Sequence, residues 1–184
     1  MPDTSLAASG IRIRPAEPAD IATVVDFRAR MFREMGWSDE SRLEQVAPLA
    51  SGYLHEQFES GGCTGFVAEL AADADGWAAT GGVIATVVVV WQSVPPGPRN
   101  LPGRQAYILG MYVVPEFRRR GIARALMTAA IECATAGGVP LVTLHASDEG
   151  RILYQQLGFV TAPEMRLFTE HAAPPSWVPA YEAD

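Results

Sequence analysis

Within seven positions, Arg118-Arg119-Arg120-Gly121-Ile122-Ala123-Arg124 sets four arginines beside two small residues, where an apolar helical pattern begins. The first turn of a helix leaves backbone N–H groups unpaired and carries the positive end of the helix dipole, so it seats a phosphate or pyrophosphate readily. Gly121 and Ala123 lack bulk where such an anion must approach, and Arg118, Arg119, Arg120 and Arg124 supply counter-charge. Neither of the two common phosphate-loop patterns fits: G-x-x-x-x-G-K-[ST] is absent, and this stretch holds no G-x-G-x-x-G. A solvated basic helix start is the plainer alternative, and the coincidence of charge and small residues at one helix entry weighs against it. Two further residues have chemistry to offer. Tyr154 stands just ahead of Leu157-Gly158-Phe159, and His145 lies in Leu144-His145-Ala146-Ser147, with a side chain that titrates near neutrality.

These residues need elements to hold them. Ile11-Arg12-Ile13-Arg14 alternates apolar and charged residues and reads as a half-buried strand. Ile21, Val24, Val25 and Phe32 mark a helical stripe that includes Arg28, whose long side chain either snorkels out of the core or faces a substrate. A second helix is expected over 39–59, broken or kinked at Pro48 and stopped by Gly61-Gly62. Strands follow over 64–70 and 80–91, joined through Asp73-Ala74-Asp75-Gly76, whose residues favour a hairpin turn. A prolyl loop leads to a strand over 105–114, ended by Pro115. Ile122, Leu126, Ala129, Ala130 and Cys133 then trace a long helix closed by Gly137-Gly138. The remaining expectations are a strand over 141–146, a helix over 148–157 and a last strand over 159–168.

Arg118-Arg119-Arg120-Gly121-Ile122-Ala123 resembles the pyrophosphate signature of the GNAT superfamily of N-acetyltransferases: Arg or Gln, two residues, Gly, one residue, then Gly or Ala. Leu153-Tyr154-Gln155-Gln156-Leu157-Gly158-Phe159 resembles that superfamily's second hallmark, a tyrosine just before Leu-Gly-Phe. The resemblance implies an α/β (α+β) domain with a mixed, twisted sheet of about six strands and about four helices, in the order β-α-α-β-β-β-α-β-α-β. Its fourth and fifth strands would splay apart and take the pantetheine arm of acetyl-CoA between them. The backbone of Met111, Tyr112 and Val113 would line that arm, and N–H groups from Arg119 to Arg124 would hold the pyrophosphate. Gly110 fits the bulge that the family places in this strand.

The chemistry implied is transfer of an acetyl group from the thioester to a primary amine by direct attack in a ternary complex, with no metal. A backbone N–H at the bulge would stabilise the oxyanion. Tyr154 would protonate the leaving thiolate, against the simpler reading of a core tyrosine. His145 is the candidate general base, against a solvated histidine; otherwise a water chain would serve, ending at Glu34 or Glu69. Ser147 either touches pantetheine or caps the helix that follows it. Met31, Phe32, Met35, Trp37 and Tyr53 either form a lid over the amine or belong to the core. The rival reading is a degenerate member that binds acyl-CoA as a sensor without turnover.

With 184 residues, 48% hydrophobic, the chain suits one domain, taken as 11–168 between a leader (1–10) and a tail (169–184). A net charge of −7 argues against nucleic-acid and anionic-membrane partners. The apolar run from Gly81 to Trp91 is short of the ~20 residues that span a bilayer. Cys63 and Cys133 have neither C-x-x-C spacing nor a nearby His cluster, so no zinc site or disulfide is expected and reduced thiols in the cytoplasm are the plain reading. An exposed strand edge near the C-terminus leaves a homodimer open.

Overall fold

The computed structural model describes Leu6, residues 9–70 and residues 82–165. Among the described residues five strands form one sheet in the order β1-β2-β3-β4-β5: Ile11–Pro15, Cys63–Leu70, Val83–Ser93, Arg104–Val113 and Leu141–Leu144. Neighbours run antiparallel except β4 and β5, which are parallel and joined by a helical crossover. Among the described residues four α-helices pack with the sheet, labelled α1 (Ile21–Glu34), α2 (Glu40–Ser60), α3 (Ile122–Ala136) and α4 (Asp148–Gln156).

The run from Val83 to Val90 is wholly buried because β3 has strands on both sides and helices over both faces. Val88, Val90 and Leu109 cluster with Ile21 and Val24 of α1 and Leu54 of α2. The alternate residues Val87, Val89, Ala106 and Ile108 join the larger core with Ile122, Leu126, Met127 and Ala130 of α3. Period-two alternation in the strands thus meets period-3.6 stripes in the helices. Burial of Ile122, Leu126 and Met127 contributes roughly 1.5–3 kcal/mol each.

Two expectations change and a third is narrowed. The described part of the expected last strand, 159–165, is irregular, so the described sheet has five strands; the rest of it, and the Asp73–Gly76 turn, lie outside the described residues. Strand β5 stops at Leu144, which leaves His145 just past its end. Of the break or kink expected at Pro48, the break does not occur: helix α2 is continuous from Glu40 to Ser60. The proline removes one N–H from the ladder, but both it and Glu44, whose carbonyl loses that partner, are exposed, so water can replace the bond.

Candidate active site

Strands β4 and β5 pair only from Gln105 to Ile108 against Leu141 to Leu144. Beyond Ile108 the β5 side of β4 has no strand partner among the described residues, and so forms an open edge there. The same strand is irregular on its other side, where Thr86 faces Tyr112 and Val88 faces Leu109, so that Gly110 and Met111 together oppose Val87. This is the expected bulge. Gly110 takes φ of +63°, and a Cβ there would meet no atom within 4 Å, so the demand for glycine is conformational and not spatial. Thr86, the lone polar residue in the buried run of β3, donates its hydroxyl to the Gly110 carbonyl at 3.1 Å and pins the bulge. Past it, Val114 N–H donates to Ile84. By strand alternation the backbone groups of Met111 and Val113 therefore point the other way, to the open edge.

At the end of that edge the chain enters α3. Arg119 at φ +63° and Gly121 at φ +84° are both left-handed, and Arg119 is the sole non-glycine residue of that kind among the described residues. Such a conformation costs of order 1 kcal/mol in a non-glycine residue and turns successive N–H groups to one side. Gly121 is the N-cap of α3, with no side chain capping the first turn. The N–H groups from Arg119 to Arg124 have no acceptor among the described residues. Ile122 is buried and anchors the turn to the core, whereas Ala123 is partly exposed beside it.

The arginines divide. Arg118 donates to the Val113 carbonyl at 2.9 Å and to Glu34 at 2.6 Å. Arg120 donates to the Glu116 carbonyl and lies over the Phe117 ring, and Arg124 donates to Gln156 of α4. Arg119 alone of the four has no hydrogen-bonded partner among the described residues. Tyr112 turns its ring to Phe27 and donates its hydroxyl to Glu34 at 2.8 Å. Burial, with the Glu34 carboxylate beside it, pushes this phenol up to about 12, so it remains a donor at any ordinary pH. Only the backbone of Tyr112 is left to meet a ligand.

Tyr154 is partly buried on α4, its ring tilted on Phe159 at 6.0 Å, and its hydroxyl has no partner among the described residues. Burial raises its pKa. Gly150, one turn earlier, makes room for it: a Cβ there would lie 2.7 Å from Tyr154 Cε2. Phe159 opens no strand in the described chain; its N–H donates to the Tyr154 carbonyl and its ring packs on the tyrosine. Ser147 accepts from Gly150 N–H at 3.3 Å as the N-cap of α4, its expected default role.

His145 lies between two residues. Its Nδ1 is 2.5 Å from the Tyr107 hydroxyl and its Nε2 is 2.9 Å from Glu164. A carboxylate only accepts, so the pairing favours the tautomer with Nε2–H donating to Glu164 and Nδ1 accepting from the phenol. Tyr107 and Glu164 escaped the sequence reading. Tyr107 was within reach as the outward neighbour of Leu109 on one strand face; Glu164 was not, because 159–165 was read as a strand.

The two carboxylates weighed as water-chain ends separate as well. Glu34 joins Tyr112 and Arg118, beside the α3 entry. Glu69 is bound by Arg12 and Arg14 on β2, two strands from β4. Among the lid candidates, Phe32 lies under Arg28, Met31 packs on the main core, Tyr53 is exposed on α2, and Trp37 has a buried indole N–H with no partner. Among the described residues no His, Cys, Asp or Glu group of three or more could hold a metal, and no helix is long and apolar enough to cross a membrane.

A family model described as the acetyltransferase (GNAT) domain matches residues 62–161, more than half of the chain, so the chain belongs to the GNAT acetyltransferases. That stretch contains β2 to α4, the bulge and the α3 entry. Among solved structures, the chain is similar to a GCN5-related N-acetyltransferase from Ralstonia eutropha JMP134, with 28% identity and a TM-score of 0.77 over 87% of this chain and 99% of that one. An acetyltransferase from Clostridium acetobutylicum with acetyl-CoA is 24% identical, with a TM-score of 0.73 over 86% of this chain and 96% of that one. The aminoglycoside N-acetyltransferase AAC(6')-Iy in complex with CoA shares the fold at 18% identity and a TM-score of 0.61, over 88% and 95% of the two chains. No curated protein sequence matches the chain.

Proposed function

We propose that this chain is an N-acetyltransferase that moves an acetyl group from acetyl-CoA to a primary amine by direct attack, with both substrates bound together in one domain over 11–168. The observation that carries the reading is the junction of two unsatisfied backbone features: the open edge of β4 past Ile108 and the uncapped start of α3. One is a strip of strand hydrogen-bonding groups, and the other is a cluster of N–H donors facing outward. A ligand with an amide-bearing arm and a pyrophosphate satisfies both at once. The Clostridium acetobutylicum acetyltransferase and AAC(6')-Iy, which have this fold, hold acetyl-CoA and CoA respectively, in line with that choice.

In this reading Met111 and Val113 receive the pantetheine amides, and the N–H groups of Arg119, Arg120, Gly121, Ile122, Ala123 and Arg124 receive the pyrophosphate, with Arg119 free to add its guanidinium. Arg118 acts through its neighbours, holding the Val113 carbonyl and Glu34 in place. Ser147 acts through its cap on α4 and so through the orientation of Tyr154. A backbone N–H released by the Gly110 bulge stabilises the oxyanion as the amine nitrogen bonds to the acetyl carbon. As the C–S bond breaks, the electron pair goes to sulfur. Tyr154, kept protonated by burial, donates to that sulfur. Because burial raises this phenol above its ordinary range, handing its proton outright to a thiolate, whose ordinary value of about 8.5 is lower still, runs uphill. The hydrogen bond formed while charge develops is therefore its main contribution, with solvent completing the transfer.

The amine must lose a proton, and in this reading His145 takes it through the Tyr107 hydroxyl, with Glu164 stabilising the imidazolium; the Tyr107–His145–Glu164 contacts support that role. Thermal unfolding with and without acetyl-CoA tests the first half of the proposal. Saturation should raise Tm by roughly 5 °C or more. Thiol release against polyamines, aminoglycosides, amino acids and peptide N-termini tests the second. Absence of stabilisation would overturn the site; stabilisation without release on any amine would overturn turnover.

A further inference from the structure

Helix α1 carries three arginines, Arg28, Arg30 and Arg33. Arg30 pairs with Asp26 at 2.8 Å and Arg33 with Glu40 at 2.8 Å, and both are exposed, where a partner adds little. Arg28 is the partly buried one, and it has neither ion pair nor hydrogen bond among the described residues. The distribution is the reverse of what stability alone requires, because a desolvated charge without a partner is the costly case. The nearby carboxylates do not answer it: Asp26 serves Arg30, Glu34 serves Arg118 and Asp20 serves Arg14.

Arg28 is held where it is. Its guanidinium lies over the Phe32 ring, 4.8 Å from the centroid, in a groove lined by Val25, Ala29, Leu43, Val46 and Ala50 between α1 and α2. Burial lowers its pKa, and only the phenols of Tyr107 and Tyr53 act in the other direction. Tyr107 is the residue bonded to His145. It stands three residues before Gly110 on β4, on the order of 10 Å along the strand. Tyr107 is thus the residue that acts both on the unpaired cation and on the candidate base, and it stands on the strand that carries the bulge.

We infer that Arg28 receives an anionic oxygen group of the amine acceptor, so that the preferred substrate carries a carboxylate or phosphate on the order of 10 Å or less from the reacting amine. This rests on the acyl-transfer reading above. It also runs against the chain's net charge of −7, which by itself favours a cationic acceptor. A guanidinium presents a planar donor fork to either oxyanion, so carboxylate and phosphate are separated by experiment.

The test uses three amines of one chain length, 6-aminohexanoate, 6-aminohexyl phosphate and hexylamine, titrated into the full-length protein already saturated with CoA. CoA saturation is verified first by thermal shift, so failure of the cofactor reading is seen separately. At least one anionic amine should bind tenfold or more tightly than hexylamine, and the better of the two identifies the oxyanion. Arg28→Gln should erase the preference and Arg28→Lys should keep part of it. Both variants should keep the native circular dichroism and the native CoA affinity, with Tm changed only by what the Phe32 contact contributes; loss of fold or of CoA binding in both would indicate a structural role and overturn the inference. Equal binding of the three amines, no binding of either anionic one, or a preference that survives Arg28→Gln would overturn it as well.

Discussion

The two ends of the sheet treat charge in opposite ways. At the β1–β2 end, Arg14 donates to Asp20 at 2.6 and 2.9 Å and also to Glu69, Arg12 adds a second cation on Glu69, and Asp20 further accepts from Glu17 N–H at 2.8 Å. Polar groups there consume one another. At the β4–β5 end, the strand edge past Ile108 has no strand partner, and the N–H groups at the start of α3 and the Tyr154 hydroxyl have no hydrogen-bond partner among the described residues; on α1 the Arg28 guanidinium has only the Phe32 ring. Groups that complete themselves hold a fold together, and groups left incomplete await a ligand. Net charge does not distinguish the ends, whereas the inventory of satisfied donors and acceptors does.

The largest expected break in that comparison is Gly121→Glu. It puts a carboxylate where the pyrophosphate is proposed to sit and a side chain at φ +84°. CoA affinity should fall at least a hundredfold, about 2.7 kcal/mol, while circular dichroism stays native. Undiminished binding in calorimetry would remove the α3 entry from the site. At the opposite end, Arg14→Ala should lower unfolding free energy by about 2 kcal/mol and leave CoA affinity unchanged. A change in affinity would mean that the two ends are coupled.

Acid sharpens the contrast. Burial works to raise the Asp20 and Glu69 carboxyls, but hydrogen bonds from Arg14, and for Glu69 also from Arg12, outweigh it and hold both below their ordinary values. A depressed carboxyl contributes stability that is complete above its unfolded pKa near 4 and lost as pH falls through the folded value. Denaturant melts at pH 6 and pH 3 should therefore show an acid loss in the native chain that is smaller in Arg14→Ala. Equal losses would assign acid sensitivity to other carboxylates.

The smallest effects concern Tyr154. Tyr154→Phe should reduce kcat tenfold to a hundredfold with little change in affinity for acetyl-CoA. Gly150→Ala forces the same ring aside without removing the hydroxyl and should cost several-fold in kcat. If both variants turn over at the native rate, Tyr154 belongs to the core.

Much of the fold was legible because it follows from local periodicity. The apolar stripe of α3, the unbroken valines of β3 and the stop at Pro115 each reflect physics within a few residues. The α3 entry was legible for the same reason, since a helix start needs nothing distant to expose its N–H groups. The absence of a break at Pro48 was not legible, because propensity prices a lost hydrogen bond without knowing that both residues involved are exposed.

The amino-acid sequence by itself determined which residues carry charge, which run along helices and strands, and where a helix start leaves its N–H groups without an acceptor. Only the tertiary structure decided which of those charges are spent. Arg118 and Arg119 are neighbours of the same type, yet one is held by Glu34 and Val113, from elements α1 and β4, and the other faces outward. His145 acquires its character from Tyr107 and Glu164, 38 and 19 residues away. Arg28 is distinguished from Arg30 and Arg33 only by what packs around it. Hydrogen bonds and ion pairs act over a few ångströms in space and are indifferent to separation along the chain, so the partner of a side chain is a property of the fold.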